Sequence, residues 1–242
     1  MQNRNDGTIV ASIGASRSGK SVPIKRAVES LPRVLAFDPK GEYSSQLGFE
    51  RITSIEALIK RCQELGSKPA QLALFASDKK SFDAMCGVAY IWNMYAPIAA
   101  VCEELARVTS VSKAEGNWGR LTNQGLAYGI TIFATVQRGQ EVDKTLLNNA
   151  SFIHVCRHST DDDCEYIAKK LGVDLSEIPR KKLEFLQWTS DLGIVSRGTI
   201  DFPVSKKTKK WPEGCPRFRS KGGNRRVLTI GSDGRFKQIK YT

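Results

Sequence analysis

Residues 14 to 21 read Gly-Ala-Ser-Arg-Ser-Gly-Lys-Ser, a spacing of two glycines, a lysine and a hydroxyl that suits a polyphosphate. Gly14 and Gly19 let the backbone bend around an anion. The N–H groups from Gly14 through Ala15, Ser16, Arg17, Ser18, Gly19, Lys20 and Ser21 to Val22 then face it, together with the start of the helix that follows. Lys20 can reach the outer phosphates, and Ser21 would hold Mg²⁺ on them, so the expected ligands are ATP and Mg²⁺. The flanks agree with this reading: Thr8 to Ile13 is a buried strand by composition, Val22 to Ser30 reads as a helix, and Pro23 falls in its first turn, where a missing N–H costs little.

Phosphate chemistry also needs carboxylates. Ile98-Ala99-Ala100-Val101-Cys102 is a hydrophobic strand delivering Glu103 and Glu104 at its end. The first can hold Mg²⁺, directly or through water, and the second can polarise the attacking water. Glu103 stands where an Asp is more usual. A third strand, Ile130 to Val136, ends in Gln137, which would sense the outermost phosphate if this strand lies beside the one carrying the loop.

Strand-like runs at 8–13, 33–38, 71–76, 98–102, 130–136 and 151–157 alternate with helical ones at 20–30, 54–65, 79–94, 119–128, 141–149 and 161–171. This alternation predicts an α/β fold, a mostly parallel central sheet with helices on both faces. Leu183 to Trp188 and Gly193 to Ile200, around Ser190-Asp191, read as an antiparallel addition at the sheet edge. The expected organisation is one domain over 1–202 and a basic segment over 203–242.

The chain has 242 residues, and its 40% hydrophobic content is enough for a packed core. Six cysteines without a C-x-x-C pair predict reduced thiols in a cytosolic compartment, and two histidines without ligand spacing argue against zinc. Ala84 to Cys102 carries no formal charge, but Asn93 and Pro97 divide it into a helix and a strand, so no permanent membrane span is expected. Of the net charge of +12, most sits at the end: the last forty residues hold twelve Lys and Arg against two acidic residues. There Lys206, Lys207, Lys209, Lys210, Arg217 and Arg219 alternate with Trp211 and Phe218, a mixture suited to nucleic-acid phosphates and base stacking.

Asp38-Pro39-Lys40-Gly41-Glu42-Tyr43 closes the strand before it. Together with GASRSGKS, the acidic pair after IAAVC and the ATVQR strand, it resembles the FtsK/HerA superfamily of DNA-pumping ATPases, over roughly residues 8 to 200. Within the superfamily the chain looks most like the genome-packaging ATPases of membrane-containing viruses with double jelly-roll capsids. The resemblance implies a RecA-like P-loop NTPase fold and a homo-oligomeric ring, a hexamer, moving double-stranded DNA into a preformed capsid. It would dock on a capsid or membrane-protein portal component, in the host cytoplasm or at the packaging vertex of the virion.

By matching positions Lys20 and Ser21 take the phosphate and Mg²⁺ roles, Glu103 the metal-side acid, Glu104 the catalytic base and Gln137 the sensor. Asp38 and Glu42 would organise the surroundings of the nucleotide. Relatives often carry an Arg before the sensor strand, where this chain reads Gly125-Leu126-Ala127-Tyr128-Gly129. Arg157, Arg138 and Arg120 remain as arginines that could act across a subunit boundary, with an ion pair to Asp161 to Asp163 as the alternative use of Arg157. Ala106 to Gly119 is the expected DNA-facing loop, touching the backbone through Lys113 and Trp118. The rival classes are an assembly or export ATPase of the filamentous-phage or conjugation type, a small-molecule kinase, and a non-enzymatic nucleotide switch or DNA-binding protein.

Overall fold

The computed structural model describes residues 6–201 together with the backbone of 226–230 and 236–240. Nine strands form one sheet: β1 (Thr8–Ile13), β2 (Arg33–Phe37), β3 (Glu50–Ile52), β4 (Ala70–Leu74), β5 (Ala99–Cys102), β6 (Thr131–Val136), β7 (Phe152–Cys156), β8 (Glu184–Thr189) and β9 (Gly193–Thr199), in the order β3-β4-β2-β5-β6-β1-β7-β8-β9. Every pairing from β3 to β7 is parallel, and β8 and β9 add antiparallel at one edge. The apolar runs of β2, β5, β6 and β7 are buried at every residue, the pattern of strands covered on both faces. β1 lies between β6 and β7, so Gln137 emerges beside the glycine-rich loop.

Two helices, α1 (Ser21–Glu29) and α2 (Glu42–Leu47), pack on one face through Ile24, Val28, Tyr43 and Leu47. The other face carries α3 (Ile55–Leu65), α4 (Lys79–Tyr95), α5 (Gly116–Asn123), α6 (Lys144–Asn149) and α7 (Asp161–Leu171), whose buried residues join the larger core cluster. Side chains fix several starts: Ser54, Asp78, Asp143 and Thr160 each accept a backbone N–H from the first turn of α3, α4, α6 and α7. The uncharged stretch from Ala84 runs down α4 and into β5. Among the described residues no helix is long and apolar enough to cross a membrane. Asn93 makes the division, its amide donating to the Tyr128 carbonyl at 2.9 Å while its oxygen accepts the Ile98 N–H at 3.0 Å.

Several expectations shift. The helix read over 119–128 begins at Gly116 and ends at Asn123, followed by a tight turn at Gly125–Tyr128. The cause is local packing: a Cβ on Gly125 would sit 3.0 Å from the Ile130 Cγ2, so the chain is drawn in against the next strand. The helix read from 141 starts only at Lys144, because the Asp143 carboxylate caps it there. α2 and β3 were not anticipated. Nor was an antiparallel hairpin, β10 (Arg226–Ile230) with β11 (Phe236–Lys240), inside the segment read as a basic tail. Lys206, Lys207, Lys209, Lys210, Arg217 and Arg219 lie outside the described residues.

Candidate active site

The site is built on one polar layer of the sheet. On the α1 face Val10, Ala36, Val101, Phe133 and Phe152 form an apolar cluster with that helix. Two residues further along each strand, hence on the same face, come Ser12, Asp38, Glu103, Thr135 and His154. The register places Ser12 beside both Thr135 and His154. These five strands therefore turn from apolar to polar at the same height, and the glycine-rich loop lies across that edge.

The loop is tied at both ends. Ser12 Oγ donates to the Lys20 carbonyl at 2.7 Å, Gly14 N–H to Val136, and Ala15 N–H to the Arg157 carbonyl at 2.9 Å. Gly14 is required by close approach, since a Cβ would come 2.8 Å from the Cys156 Cβ and 2.9 Å from Ser18 Oγ. Lys20 curls over the loop, its ammonium 3.4 Å from the Ala15 carbonyl. Burial lowers its pKa, as does the Lys40 charge, while Glu103 and Glu104 oppose the shift. A phosphate would relieve both penalties.

Glu103 is 8% exposed and takes part in no ion pair among the described residues. Its Oε1 accepts from the Tyr43 hydroxyl at 2.8 Å, and its Oε2 accepts from Thr135 Oγ1 at 2.6 Å and Ser21 Oγ at 3.3 Å. Burial pushes its pKa up, and the Thr135 and Tyr43 hydroxyls hold it back. A buried carboxylate without a cation, touching the loop serine, fits a divalent ion held jointly by Ser21 and Glu103, and the longer side chain still reaches.

Glu104 adopts the left-handed conformation (φ 54, ψ 46), and its N–H donates to Thr135 Oγ1 at 2.9 Å. One threonine thus braces both acids. Lys40 holds Glu104 Oε1, and Arg107 lies 3.3 Å from Oε2.

The Asp38 to Tyr43 segment acts through the first turn of α2. The Asp38 carboxylate accepts the N–H groups of Glu42, Tyr43 and Ser44 at 2.8, 2.9 and 3.4 Å, which aims the Tyr43 hydroxyl at Glu103. Glu42 pairs with Lys25 of α1, joining the segment to the loop's own helix.

Of the three arginines, Arg138 is engaged by Asp163 at 2.9 Å and Glu141 at 3.0 Å. Arg120 stacks 4.0 Å over the Tyr90 ring. Arg157 stands beside its own chain's loop; it makes no ion pair with Asp161 to Asp163 among the described residues, and its buried Nε has no hydrogen-bond partner there. Gln137 is exposed beside the loop. Lys113 is exposed on the loop before α5, but the expected 106–119 loop ends where α5 begins at Gly116, and Trp118 is a correction: it lies in α5, is 3% exposed, packs on Phe82 and donates its indole N–H to Asp143 at 2.9 Å, which leaves it no surface to offer a DNA backbone. A cavity of about 480 Å³ opens between the start of α4 and this loop, lined in part by Lys79, Lys80, Thr109 and Ser110. Tyr43, Thr135 and Lys40 are the residues sequence reasoning left without a role. A polar Thr135 closing an apolar strand was the available signal for one of them.

A glycine-rich loop between a buried strand and a helix, facing an acidic pair two strands away on a mostly parallel sheet, defines a P-loop NTPase fold. No protein-family model matches the chain. Protein P9 of Pseudoalteromonas phage PM2 is 29% identical over 205 residues, spanning 81% of this chain and 88% of that protein. The genome packaging NTPase B204 of Sulfolobus turreted icosahedral virus 2, in complex with ATP-gammaS, matches with a TM-score of 0.65 at 16% identity, over 81% of this chain and 98% of that one. Its complex with sulfate matches with a TM-score of 0.64 at 14% identity, over 84% and 100%. The fold is shared with these structures.

Proposed function

We propose that the chain is an ATPase that drives double-stranded viral DNA into a preformed capsid, as a hexameric ring seated on a capsid or membrane-protein portal component, in the host cytoplasm and at the packaging vertex. The observation that carries the hydrolytic part is the meeting of Ser21 with the buried Glu103, one residue before Glu104. The likeness to B204, a genome packaging NTPase, supports the packaging part.

The residues divide the work. The loop amides and Lys20 bind the phosphates of ATP. Ser21 and Glu103 would hold Mg²⁺, which offsets the charge developing on the phosphates. Glu104 takes a proton from water as the water oxygen bonds to the γ-phosphorus and the bond to the bridging oxygen breaks, releasing ADP and inorganic phosphate. Gln137 orients the γ-phosphate group, and Arg157, in no ion pair among the described residues, reaches the neighbouring subunit's site. Lys113, together with Lys79, Lys80 and the basic residues from Lys206 to Arg219, contacts DNA phosphates without reading bases.

The test is nucleotide binding and turnover, with and without double-stranded DNA, with oligomeric mass measured in the same buffer. Lys20→Ala is expected to lose ATP binding. Glu104→Gln is expected to bind ATP and turn it over at least ~100-fold more slowly, the scale of a lost general base. Turnover is expected to rise with DNA and with assembly. Wild-type turnover in Glu104→Gln would overturn the assignment, and binding without any turnover in the wild type would make the protein a nucleotide switch.

A further inference from the structure

Glu104 has the place of a general base, yet both of its oxygens are taken. Lys40 holds Oε1 and Arg107 stands 3.3 Å from Oε2, while the side chain is 12% exposed. A base acting on water needs a lone pair open to the water's hydrogen, and each cation occupies part of what the two oxygens offer. The two cations are not equivalent. Arg107 is three residues along the same chain segment and orients Glu104 locally. Lys40 comes from the loop between β2 and α2, across the mouth of the site, and its side chain is 58% exposed.

The backbone under Lys40 is pinned. Asp38 grips the first N–H groups of α2, the Gly41 N–H donates to the Asp38 carbonyl at 3.1 Å, and Gly41 turns the chain with φ 69. The long side chain is therefore the part free to swing. Its charge is felt by Lys20, whose pKa it depresses, so Lys40 stands within electrostatic reach of the phosphate loop as well as of Glu104. An ammonium on a mobile side chain, within reach of both a carboxylate and a phosphate-binding loop, is drawn to the larger negative charge when a polyphosphate binds.

We propose that Lys40 is a positioning residue shared between Glu104 and the γ-phosphate of ATP: it holds the base until a triphosphate competes for it, and its transfer leaves Glu104 Oε1 free for water. The inference rests on the reading of the chain as an ATP hydrolase and adds to it how the site tells ATP from ADP. With ADP bound there is no γ-phosphate to draw Lys40 away, so the base stays engaged after phosphate leaves. Arg107 keeps Glu104 oriented in both states.

The experiment compares wild type, Lys40→Met and Lys40→Arg. Binding of fluorescent ATP and ADP analogues is measured by titration, and steady-state hydrolysis is followed in parallel. Met keeps the length of the side chain without its charge. The expected result is an ATP affinity about tenfold weaker in Lys40→Met, the scale of one charge-assisted contact, with ADP affinity within about twofold of wild type and Arg restoring most of the difference. In turnover the KM for ATP rises by about the same factor while kcat stays within about threefold, since at saturation the wild-type base is free as well. Equal loss of ATP and ADP binding, as a misfolded α2 would give, overturns the proposal. So does unchanged ATP affinity, or a fall in kcat beyond tenfold. A wild type that binds both nucleotides but does not hydrolyse ATP would sink the hydrolase reading alone, because the ATP-to-ADP comparison reads the Lys40 transfer without turnover.

Discussion

Glu103 shows how one residue can serve chemistry at a cost to the fold. Burial raises its pKa, and neutral hydroxyls from Tyr43 and Thr135, rather than a cation, satisfy its oxygens. Its folded pKa lies above the unfolded value, so the folded state prefers the protonated acid. The associated stability is intact at pH below the ordinary carboxylate range and is lost as pH rises through the folded value. Glu103→Gln removes that penalty, because an amide can accept from one hydroxyl and donate to the other. Without nucleotide or Mg²⁺, Glu103→Gln is expected to melt higher than wild type at pH 7, by about 1 kcal/mol of stability, with the gain fading near pH 4, and to be inactive. Calorimetric melts at the two pH values check this; a lower melting temperature at pH 7 would mean that Glu103 is already stabilised by charge. At this scale the sequence was informative about Lys20, Ser21, Glu103 and Glu104, whose types and spacing are local. It was silent on Tyr43 and Thr135, whose partner lies 60 and 32 residues away, since only the strand order brings them together.

Among the elements, α2 carries the most consequence for its length. Six residues cannot hold a helix in water, and they leave no periodic window to read in the sequence. The helix exists because Asp38 accepts the N–H groups of Glu42, Tyr43 and Ser44, glycines at 41 and 48 take left-handed conformations at its two ends, and Lys25 of α1 pairs with Glu42 and Gln46. Asp38→Ala is expected to lose about 2–3 kcal/mol, the scale of a buried charged acceptor with its donors left unpaired. It should also weaken Mg²⁺-dependent ATP binding more than Mg²⁺-free binding, because Tyr43 no longer steadies Glu103. Urea unfolding and nucleotide titration with and without Mg²⁺ measure the two effects; equal losses in both titrations would show that α2 does not act through Glu103. The long helices were legible because caps and apolar spacing agree over two or more turns, as in α3 and α7. The β10–β11 hairpin was not, although the apolar run Val227-Leu228-Thr229-Ile230 followed by Gly-Ser-Asp-Gly in the sequence is a hairpin signal, because Lys and Arg are so dense around it that the segment has the composition of a solvated basic tail.

For the molecule as a whole, the alternation of strands and helices indicated the mostly parallel sheet, and the edge pair β8–β9 was readable as antiparallel. Strand order was not readable, and it decides what the polar layer becomes. From β2 across to β1 that layer carries the candidate nucleotide site; at β7 and β8 it runs on into His154 and Gln187, cross-strand neighbours that are both buried and whose side-chain polar atoms have no hydrogen-bond partner among the described residues. His154 stacks on Phe185 with ring centroids 4.9 Å apart, and burial lowers its pKa to about 3 from 6.5. The folded protein therefore keeps His154 neutral where the unfolded chain protonates it. Stability falls as pH drops below about 6.5 and goes on falling towards 3, at about 1.4 kcal/mol per pH unit for each such proton. Burial also lowers the pKa of His158, which adds to the slope in the same direction. His154→Leu removes one of the two contributions. It is expected to flatten the dependence of urea-unfolding stability on pH between 6 and 4.5 by up to one proton's worth, whatever its effect at pH 7, where lost stacking on Phe185 and relief of an unpaired polar group oppose each other. The comparison of slopes isolates the histidine because every carboxylate is common to both proteins. Parallel curves for wild type and His154→Leu over that range would show that His154 takes up its proton in the folded state, and that β7 and β8 part far enough to admit water.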